Sequence, residues 1–175
     1  DSEAGQEYWL AMNLAGDYAS ACHNHIHRRV QAALAEEPLT VVENHHNFAW
    51  KDQLPDGSEV IVHRKGATPA HKGELGIIPG SMTAPGFVVR GKGNAKALQS
   101  ASHGAGRRLS RGRALNSITR SYLRKQLETE QVTLIGGGPE EAPQAYKDIH
   151  QVMAAQTDLV DVLASFHPKI VRMDR

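Results

Sequence analysis

Residues 73–93 are rich in glycine and proline and contain only short apolar runs, which limits what the centre of the chain can form. Two strand-like runs lie in this section, at residues 76–81 and 87–90. Short apolar runs between glycines are typical of buried strands whose loops approach a ligand closely. Together with the helical patterns elsewhere, they predict an α+β fold with a mixed sheet and flanking helices, not the regular alternation of a doubly wound sheet.

Helical spacing of small and apolar residues predicts three helical segments. The first covers residues 6–34 as one long helix or two joined ones. The second is a basic helix from about residue 107 to 129, and the third is an amphipathic helix from 148 to 166. Short β-branched or apolar runs predict four further strands, at residues 40–42, 59–63, 132–135 and 169–173.

The bulk composition is that of a globular domain rather than of a membrane or disulfide-rich protein. The 175 residues suffice for one domain with a core, and 40% of them are hydrophobic and 22% charged. No apolar run approaches the roughly 18 residues of a membrane span, and the single cysteine, Cys22, excludes an internal disulfide. We expect a cytoplasmic protein without a membrane partner. Because residue 1 is not Met, we also expect the chain to begin inside a longer protein.

Positive charge is concentrated in one segment although the net charge is only +1. Residues 90–125 contain ten Lys and Arg residues and no Asp or Glu. Local positive potential of this kind suits a phosphate-rich partner such as nucleic acid. A solvated basic helix and loop explains the same pattern equally well.

The segment around His103 is the strongest candidate for chemistry. His103 is followed by the small residues 104–106, where the second helix is predicted to begin. Small residues let backbone N–H groups approach an anion, and a helix N-terminus favours negative charge. The imidazole could attack a phosphorus atom, and Arg107 and Arg111, four apart on one helical face, could neutralise the developing charge. The alternative is a glycine-rich helix cap with an incidental histidine.

A histidine pair at residues 45 and 46 is the second candidate. Adjacent residues of a strand point to opposite faces, so at most one of the two would serve a given site. Imidazole ligands suit Mn, Zn or Fe, and Asn47 could orient the ligand or contact a nucleotide. A structural or exposed histidine pair is the alternative, because no Cys or carboxylate cluster in the sequence completes a metal site.

Three weaker candidates are located elsewhere in the chain. Arg64 and Lys65 end a predicted strand before a glycine and could bind phosphate, although an ordinary basic turn has the same composition. The loop at residues 79–86 is made of small residues and could enclose a ligand. Tyr146 could stack on a base, or could belong to the core.

Taken in order, these segments resemble the motifs of the RtcB family of RNA ligases over essentially the whole chain. The matching stretches are His46-Asn47-Phe48-Ala49, His63-Arg64-Lys65-Gly66-Ala67-Thr68, Ile78-Pro79-Gly80-Ser81-Met82, Val89-Arg90-Gly91-Lys92-Gly93-Asn94, Ser102-His103-Gly104-Ala105-Gly106-Arg107, Ala145-Tyr146-Lys147-Asp148-Ile149 and Val152-Met153-Ala154-Ala155-Gln156. The fifth of these, combined with the second, is the most specific.

The resemblance implies a GTP- and manganese-dependent RNA ligase. In this family a histidine takes GMP from GTP, GMP passes to an RNA 3′-phosphate that can arise from a 2′,3′-cyclic phosphate, and a 5′-hydroxyl then displaces GMP. His103 matches the guanylylated histidine and His46 a manganese ligand. Guanylate contacts are implied for His46, Asn47, Pro79, Gly80, Ser81, Met82, Gly86, Gly104, Ala105, Gly106 and Tyr146. RNA or phosphate binding is expected of Arg64, Lys65, Arg107 and Arg111. The implied partners are RNA, GTP and an archease-like activator.

Members of this family are usually more than twice as long as this chain. Residues 1–175 are therefore expected to form the C-terminal part of the catalytic domain, incomplete without an N-terminal half that carries the other manganese ligands. An exposed apolar face is expected where that half is absent.

Two departures from the family pattern keep other functions open. Gly86 stands where a serine is common, and the chain ends in Asp174-Arg175 rather than Lys-Gly. They favour a catalytically inactive fragment or divergent homologue that binds guanylate or RNA. A different phosphoryl-transfer enzyme or metal-dependent hydrolase that uses His103 and His46 is the third possibility.

Overall fold

The apolar spacing at the start of the chain produces one continuous helix. In the computed structural model, which describes residues 2–45 and 47–173, this helix is α1 (Glu3–Leu34). The side chain of Ser2 caps its first turn by accepting a hydrogen bond from the amide of Gly5. Gly16 is the buried residue of the helix, because the ring of Phe48 packs against it. A Cβ at position 16 would lie 2.6 Å from that ring.

Helix α1 exposes large apolar side chains. Leu10, Leu14 and Tyr18 are each about 70% exposed. These residues follow one another at intervals of four, so they form a continuous stripe. Apolar surface of this extent is unusual on a folded domain. No helix of the described ranges, α1 included, is long and apolar enough to cross a membrane.

The described residues contain nine strands in four small sheets. The strands are β1 (Asn47–Gln53), β2 (Glu59–Lys65), β3 (Ala67–Pro69), β4 (Leu75–Ile78), β5 (Gly86–Gly91), β6 (Ser100–Ser102), β7 (Thr133–Gly136), β8 (Val160–Phe166) and β9 (Ile170–Arg172). Pairing is antiparallel in β1–β2, β3–β6 and β4–β5–β8, and parallel in β7–β9. The predicted α+β class is confirmed, and the strands are distributed over several small sheets.

The predicted basic helix at 107–129 is wrong in its start and its continuity. The structure has two helices there, α2 (Arg111–Ser117) and α3 (Arg120–Thr129). The hydroxyl groups of Ser110 and Thr119 cap them by accepting hydrogen bonds from the amides of Arg113 and Tyr122. Each cap begins a new helix, so the residues next to His103 are not helical.

The predicted helix at 148–166 is also wrong in its second half. Helix α4 (Ile149–Ala154) is short, and the chain then turns into strand β8. Strand β8 pairs with β5 along its length, from Gly86 opposite Phe166 to Gly91 opposite Val160. Residues 160–166 form a strand because they pair with the edge of β5, and this pairing prevails over their helical spacing of apolar residues. Residues 40–42, predicted as a strand, have no regular structure.

Two groups of buried side chains form the core. The first contains Ile78, Val89, Ala105 and Ile149, and the second contains Met82 and residues of α2 and α3. The ring of Tyr146 packs against both groups. Ala105 of the loop at 103–106 belongs to the first group and Met82 of the loop at 79–82 to the second, which limits the freedom of both loops to move.

Candidate functional site

His103 follows β6 and lies beside the end of β2. Its amide donates a hydrogen bond to the carbonyl oxygen of Gly66 at 3.4 Å, and Gly66 directly follows Lys65. Opposite Lys65 in the β1–β2 pair is Asn47, whose side-chain oxygen lies 3.2 Å from Nε2 of His63. The structure therefore brings His103, Lys65 and Asn47, predicted from separate motifs, to one corner of the molecule. The predicted metal ligand His46 lies outside the described residues.

The two loops that the sequence predicted to bind guanylate are joined to each other. The amide of Ala105 donates a hydrogen bond to the carbonyl oxygen of Pro79 at 3.0 Å. Gly104 permits this approach, because a Cβ there would lie 3.2 Å from the same oxygen. Gly106 has φ +71°, in the region that favours glycine. The residues at 104–106 therefore form a loop of glycine conformation and close contacts, not the first turn of a helix.

The loop at 79–82 is held by its own contacts. The side chain of Met82 is 2% exposed and packs in the second core group, so only its backbone could meet a ligand. The hydroxyl of Ser81 accepts a hydrogen bond from the amide of Ala84 at 3.3 Å. Gly80 is needed for the turn, since a Cβ there would lie 2.9 Å from the Cβ of Ala84.

A buried amide side chain fixes the backbone before His103. Gln156 is 4% exposed, and its Oε1 accepts a hydrogen bond from the amide of Ser102 at 2.9 Å. Its Nε2 points to the sulfur of Met153 at 3.3 Å. The hydroxyl of Ser102 in turn donates to the carbonyl oxygen of Gly104 at 2.5 Å. We did not predict a role for Gln156, although a glutamine that closes an apolar helical run is a visible signal of a buried polar contact.

The prediction that Arg107 binds phosphate is not supported, because protein groups occupy its guanidinium. Its Nε donates to the carbonyl oxygen of Leu109 at 3.0 Å and its Nη1 to Oε2 of Glu141 at 2.9 Å. Its Nη2 donates to the carbonyl oxygen of Glu140. The guanidinium carbon also lies 5.0 Å from the ring centroid of Tyr146. The sequence placed Arg107 on a helix with its side chain free to bind phosphate. In the structure Arg107 forms an antiparallel bridge with Tyr146 instead, and its side chain is directed to Glu141.

Glu141 is the carboxylate on which three predicted ligand-binding side chains converge. Its side chain is 8% exposed, and Oε1 accepts a hydrogen bond from Nε of Arg111 at 3.0 Å. Oε2 accepts from Arg107 and from the hydroxyl of Tyr146. Burial alone would raise the pKa of Glu141, but the hydrogen bonds from Tyr146 and Arg111 and the two positive charges hold it below its usual value. Glu141 was not predicted, because nothing in the local sequence separates it from its neighbour Glu140.

Tyr146 is engaged on its hydroxyl and on one ring face. Burial raises the pKa of its phenol, and the hydrogen bond to Glu141 raises it further. Arg107 covers one face of the ring, so only the opposite face is left for the predicted stacking of a base. The next residue, Lys147, donates its amide to the carbonyl oxygen of Gly106 at 2.9 Å. Its ammonium would lie 3.9 Å from a Cβ at Gly106, so this exposed cation stands beside the His103 loop, a position that we did not predict.

Arg64 is a structural residue and not the phosphate ligand that we predicted. Its side chain is 1% exposed and pairs with Oδ2 of Asp52 at 2.7 Å. It also donates to Oγ of Ser100 at 2.8 Å and lies over the ring of Trp50 at 4.8 Å. Burial would raise the pKa of Asp52, but hydrogen bonds from Arg64 and His71 lower it overall. Strand alternation turns Arg64 inward and leaves the neighbouring Lys65 exposed.

Gly86 is also unsuited to its predicted contact with guanylate. It is buried in β5 opposite Phe166, and a Cβ at this position would collide with the Phe166 ring. A glycine at this position thus leaves room for the Phe166 ring, which is 46% exposed. A serine at position 86 would need the ring of Phe166 to move.

The described residues do not form a metal centre. Within residues 2–45 and 47–173, no three side chains of His, Cys, Asp or Glu come together as ligands. His45, next to the predicted ligand, stacks on the ring of Phe48 with a centroid distance of 4.6 Å. The donor set that these residues offer thus does not fit manganese by itself.

Comparison with known proteins identifies similar sequences over most of the chain. A family model described as tRNA-splicing ligase RtcB matches residues 1–174. An RNA-splicing ligase RtcB1 of Escherichia coli is 38% identical over 182 residues, which cover 93% of this chain and 42% of the relative. The RNA-splicing ligase RtcB of Escherichia coli K12 is 44% identical over 145 residues, or 78% of this chain and 32% of the relative.

An archaeal relative gives the same result. The tRNA-splicing ligase RtcB of Methanococcus maripaludis is 33% identical over 183 residues, which cover 87% of this chain and 38% of the relative. In all three cases this chain spans less than half of the length of the relative.

Proposed function

Because the chain belongs to the RtcB family, we propose that it forms the guanylate-transfer part of an RNA ligase, with His103 as the residue that accepts GMP. The observation that carries this proposal is the hydrogen bond from the amide of Ala105 to the carbonyl oxygen of Pro79, which joins the His103 loop to the loop at 79–82. The two loops together make a surface of backbone and small side chains next to one imidazole. Such a surface lets a nucleotide phosphate come close to the protein backbone.

The proposed first step is attack of an imidazole nitrogen of His103 on the α-phosphorus of GTP. A phosphorus–nitrogen bond forms, the bond from the α-phosphorus to the bridging oxygen breaks, and pyrophosphate leaves with the electron pair. Lys65 and Lys147 are exposed cations near this loop that could balance the negative charge of the phosphates. The exposed Arg111 is connected to the segment after His103 through Glu141 and Arg107. Lys65 precedes the glycine that binds the His103 amide, and Lys147 is beside Gly106.

The proposed later steps transfer GMP to RNA and release it. An oxygen of the RNA 3′-phosphate attacks the guanylate phosphorus, and the bond to His103 breaks. A 5′-hydroxyl then attacks the activated 3′-phosphorus, forms the phosphodiester and displaces GMP. The RNA-splicing function in the names of the relatives supports RNA as the substrate.

Manganese belongs to the proposal only through the family. Since residues 2–45 and 47–173 supply no three-ligand set, the ion would need further ligands besides these described residues. When bound, a divalent cation supplies charge stabilisation to phosphates, and no step above is derived through it.

A guanylate- or RNA-binding fragment without ligase activity is the second candidate. One observation favours it: Phe166 covers Gly86, which was predicted to contact guanylate. Such a module would keep the joined loops and the exposed cations. It would bind the nucleotide without forming a bond to it.

Labelled GTP distinguishes the two candidates. The full-length protein and its His103→Ala variant are incubated with manganese and GTP labelled on the α-phosphate, and protein-bound label is measured after denaturation. We expect label on the wild type and on a control variant, His25→Ala, whose histidine is exposed on α1. We expect none on His103→Ala. Label that persists without His103 would overturn the nucleophile, whereas nucleotide binding without any covalent label would favour the second candidate.

A further inference from the structure

We propose that Glu141 is a positioning residue that holds the guanidinium of Arg111 in place for the phosphates of the bound nucleotide. This inference rests on the proposed function, because it assigns a role in the same site. Glu141 would act through Arg111 and Tyr146 and would not touch the nucleotide itself.

The contacts of Glu141 divide its two oxygens between two kinds of partner. Oε2 binds the inner groups, Nη1 of Arg107 at 2.9 Å and the hydroxyl of Tyr146. Oε1 binds Nε of Arg111 at 3.0 Å. The carboxylate is 8% exposed and Arg107 is 24% exposed, whereas the Arg111 side chain is 73% exposed. A buried carboxylate thus fixes one end of a side chain that otherwise extends into solvent.

This arrangement prepares Arg111 to bind an anion. A guanidinium has five N–H donors, and the bond through Nε leaves the two Nη groups available to a bidentate acceptor such as phosphate. An arginine that is held in one conformation loses less entropy when it binds. The group of two arginines and one glutamate also keeps a net charge of +1, so the carboxylate does not cancel the attraction for an anion.

Backbone hydrogen bonds connect the Glu141 network to the His103 loop. Arg107 and Tyr146 form an antiparallel bridge, and the amide of Lys147 donates to the carbonyl oxygen of Gly106 at 2.9 Å. On the other side of the bridge, the amide of Arg108 donates to the carbonyl oxygen of Ala145 at 2.8 Å. The segment after His103 and the segment that carries Tyr146 are thereby fixed to each other. Glu141 accepts hydrogen bonds from Arg107 of the first segment and Tyr146 of the second, and so connects the two segments through side chains as well.

A double-mutant cycle tests this role in the full-length protein. Glu141→Gln, Arg111→Ala and the double variant are compared for KM and kcat of His103 guanylylation. We expect each single variant to raise the KM for GTP roughly tenfold, the size of one charged hydrogen bond, with a smaller change in kcat. We expect the double variant to be no worse than Arg111→Ala, because both changes remove one interaction. The control is Glu128→Gln, an exposed carboxylate that pairs with Arg124 and should change neither constant.

Two outcomes overturn the proposal. If the KM effects of the single variants multiply in the double variant, Glu141 does not act through Arg111. If Glu141→Gln lowers stability but leaves KM unchanged, its role is structural. Should Glu141→Gln fail to fold, Glu141→Asp replaces it in the same cycle, because it keeps the charge and withdraws the carboxylate by one methylene.

Binding of pyrophosphate separates this inference from the proposed function. If the wild type takes no label from GTP, the ligase proposal fails, and calorimetric titration with pyrophosphate then decides the role of Glu141. The positioning role is supported if the wild type binds pyrophosphate and both Glu141→Gln and Arg111→Ala bind it about tenfold more weakly. Equal binding by all three proteins, or no binding by the wild type, overturns it.

Discussion

The amide of Ala105 donates a hydrogen bond to the carbonyl oxygen of Pro79, and this 3.0 Å contact joins the loop after His103 to the loop at 79–82. Gly104 lies against the same oxygen. Side chains of both loops are buried, Ala105 in the first core group and Met82 in the second. The relative position of the two loops is therefore set by packing from both sides.

Replacement of Gly104 by alanine should separate these loops slightly. The new Cβ would lie 3.2 Å from the oxygen of Pro79, so the neighbour must move by a few tenths of an ångström. We expect a loss of about 1 kcal/mol in the free energy of unfolding, at the low end for overpacking. We also expect a larger loss of GTP labelling at limiting GTP. Urea denaturation and labelling at several GTP concentrations check the two effects. Gly112→Ala is the control, since a Cβ there meets nothing within 4 Å. Unchanged labelling in Gly104→Ala would show that the spacing of the loops does not matter.

Arg64 and Lys65 are neighbours in β2 and should respond to alanine in opposite ways. Arg64→Ala leaves the carboxylate of Asp52 buried without its guanidinium partner, which typically costs about 3 to 5 kcal/mol. Lys65 is exposed, so Lys65→Ala should change the free energy of unfolding by less than about 0.5 kcal/mol and act on nucleotide binding instead. Urea denaturation and GTP titration of both variants make the comparison. A stable Arg64→Ala protein with weakened GTP binding would restore the phosphate role that we assigned to Arg64 from the sequence.

Local composition predicted the close backbone approach of the loops but not the ion pairs of the side chains around them. Small residues at 79–86 and 104–106 predicted close backbone approach, and the structure brings the two loops together at Pro79 and Ala105. In contrast, Arg64 and Arg107 look like free cations in the sequence. Their ion pairs are made with Asp52 and Glu141, which are distant in sequence, so no local pattern could assign the pairs.

The errors in secondary structure have two different causes. Ser110 and Thr119 are ordinary helix caps, and reading them as such would have divided the segment 107–129 correctly. The segment 148–166 is different, because apolar residues in its second half fit helical spacing as well as strand alternation. This half forms strand β8 because it pairs with the edge of β5. Such a tertiary contact cannot be read from the periodicity of apolar residues.

Gln156→Ala should weaken the backbone support of His103. The substitution removes the acceptor of the Ser102 amide, and a buried N–H without a partner costs about 1 to 3 kcal/mol. We expect GTP labelling to fall even where the protein is fully folded, because Ser102 precedes His103, the proposed GMP acceptor. Thermal unfolding and the labelling rate at saturating GTP are the measurements. Gln151→Ala, an exposed position on the preceding helix α4, is the control and should resemble the wild type. If Gln156→Ala lost stability but kept the full labelling rate, the contact would be structural only.

Glu141 should contribute to the pH dependence of stability in the acid range. Its pKa in the folded protein is lowered by Tyr146, Arg111 and Arg107 despite burial, so the unfolded chain binds more protons near the ordinary glutamate pKa of about 4.3. The stabilisation is therefore fully present above that pH and is lost as the pH falls through the lowered pKa of the folded state. At low pH the Glu141 carboxylate of the wild type becomes protonated and loses its charge. The glutamine in Glu141→Gln is uncharged at every pH. The difference in unfolding free energy between the two proteins should be largest near pH 6 to 7 and should shrink below about pH 4. Urea denaturation between pH 3 and 7 measures it, with Glu128→Gln as the exposed control. A difference that stays constant over this range would mean that folding does not lower the pKa of Glu141.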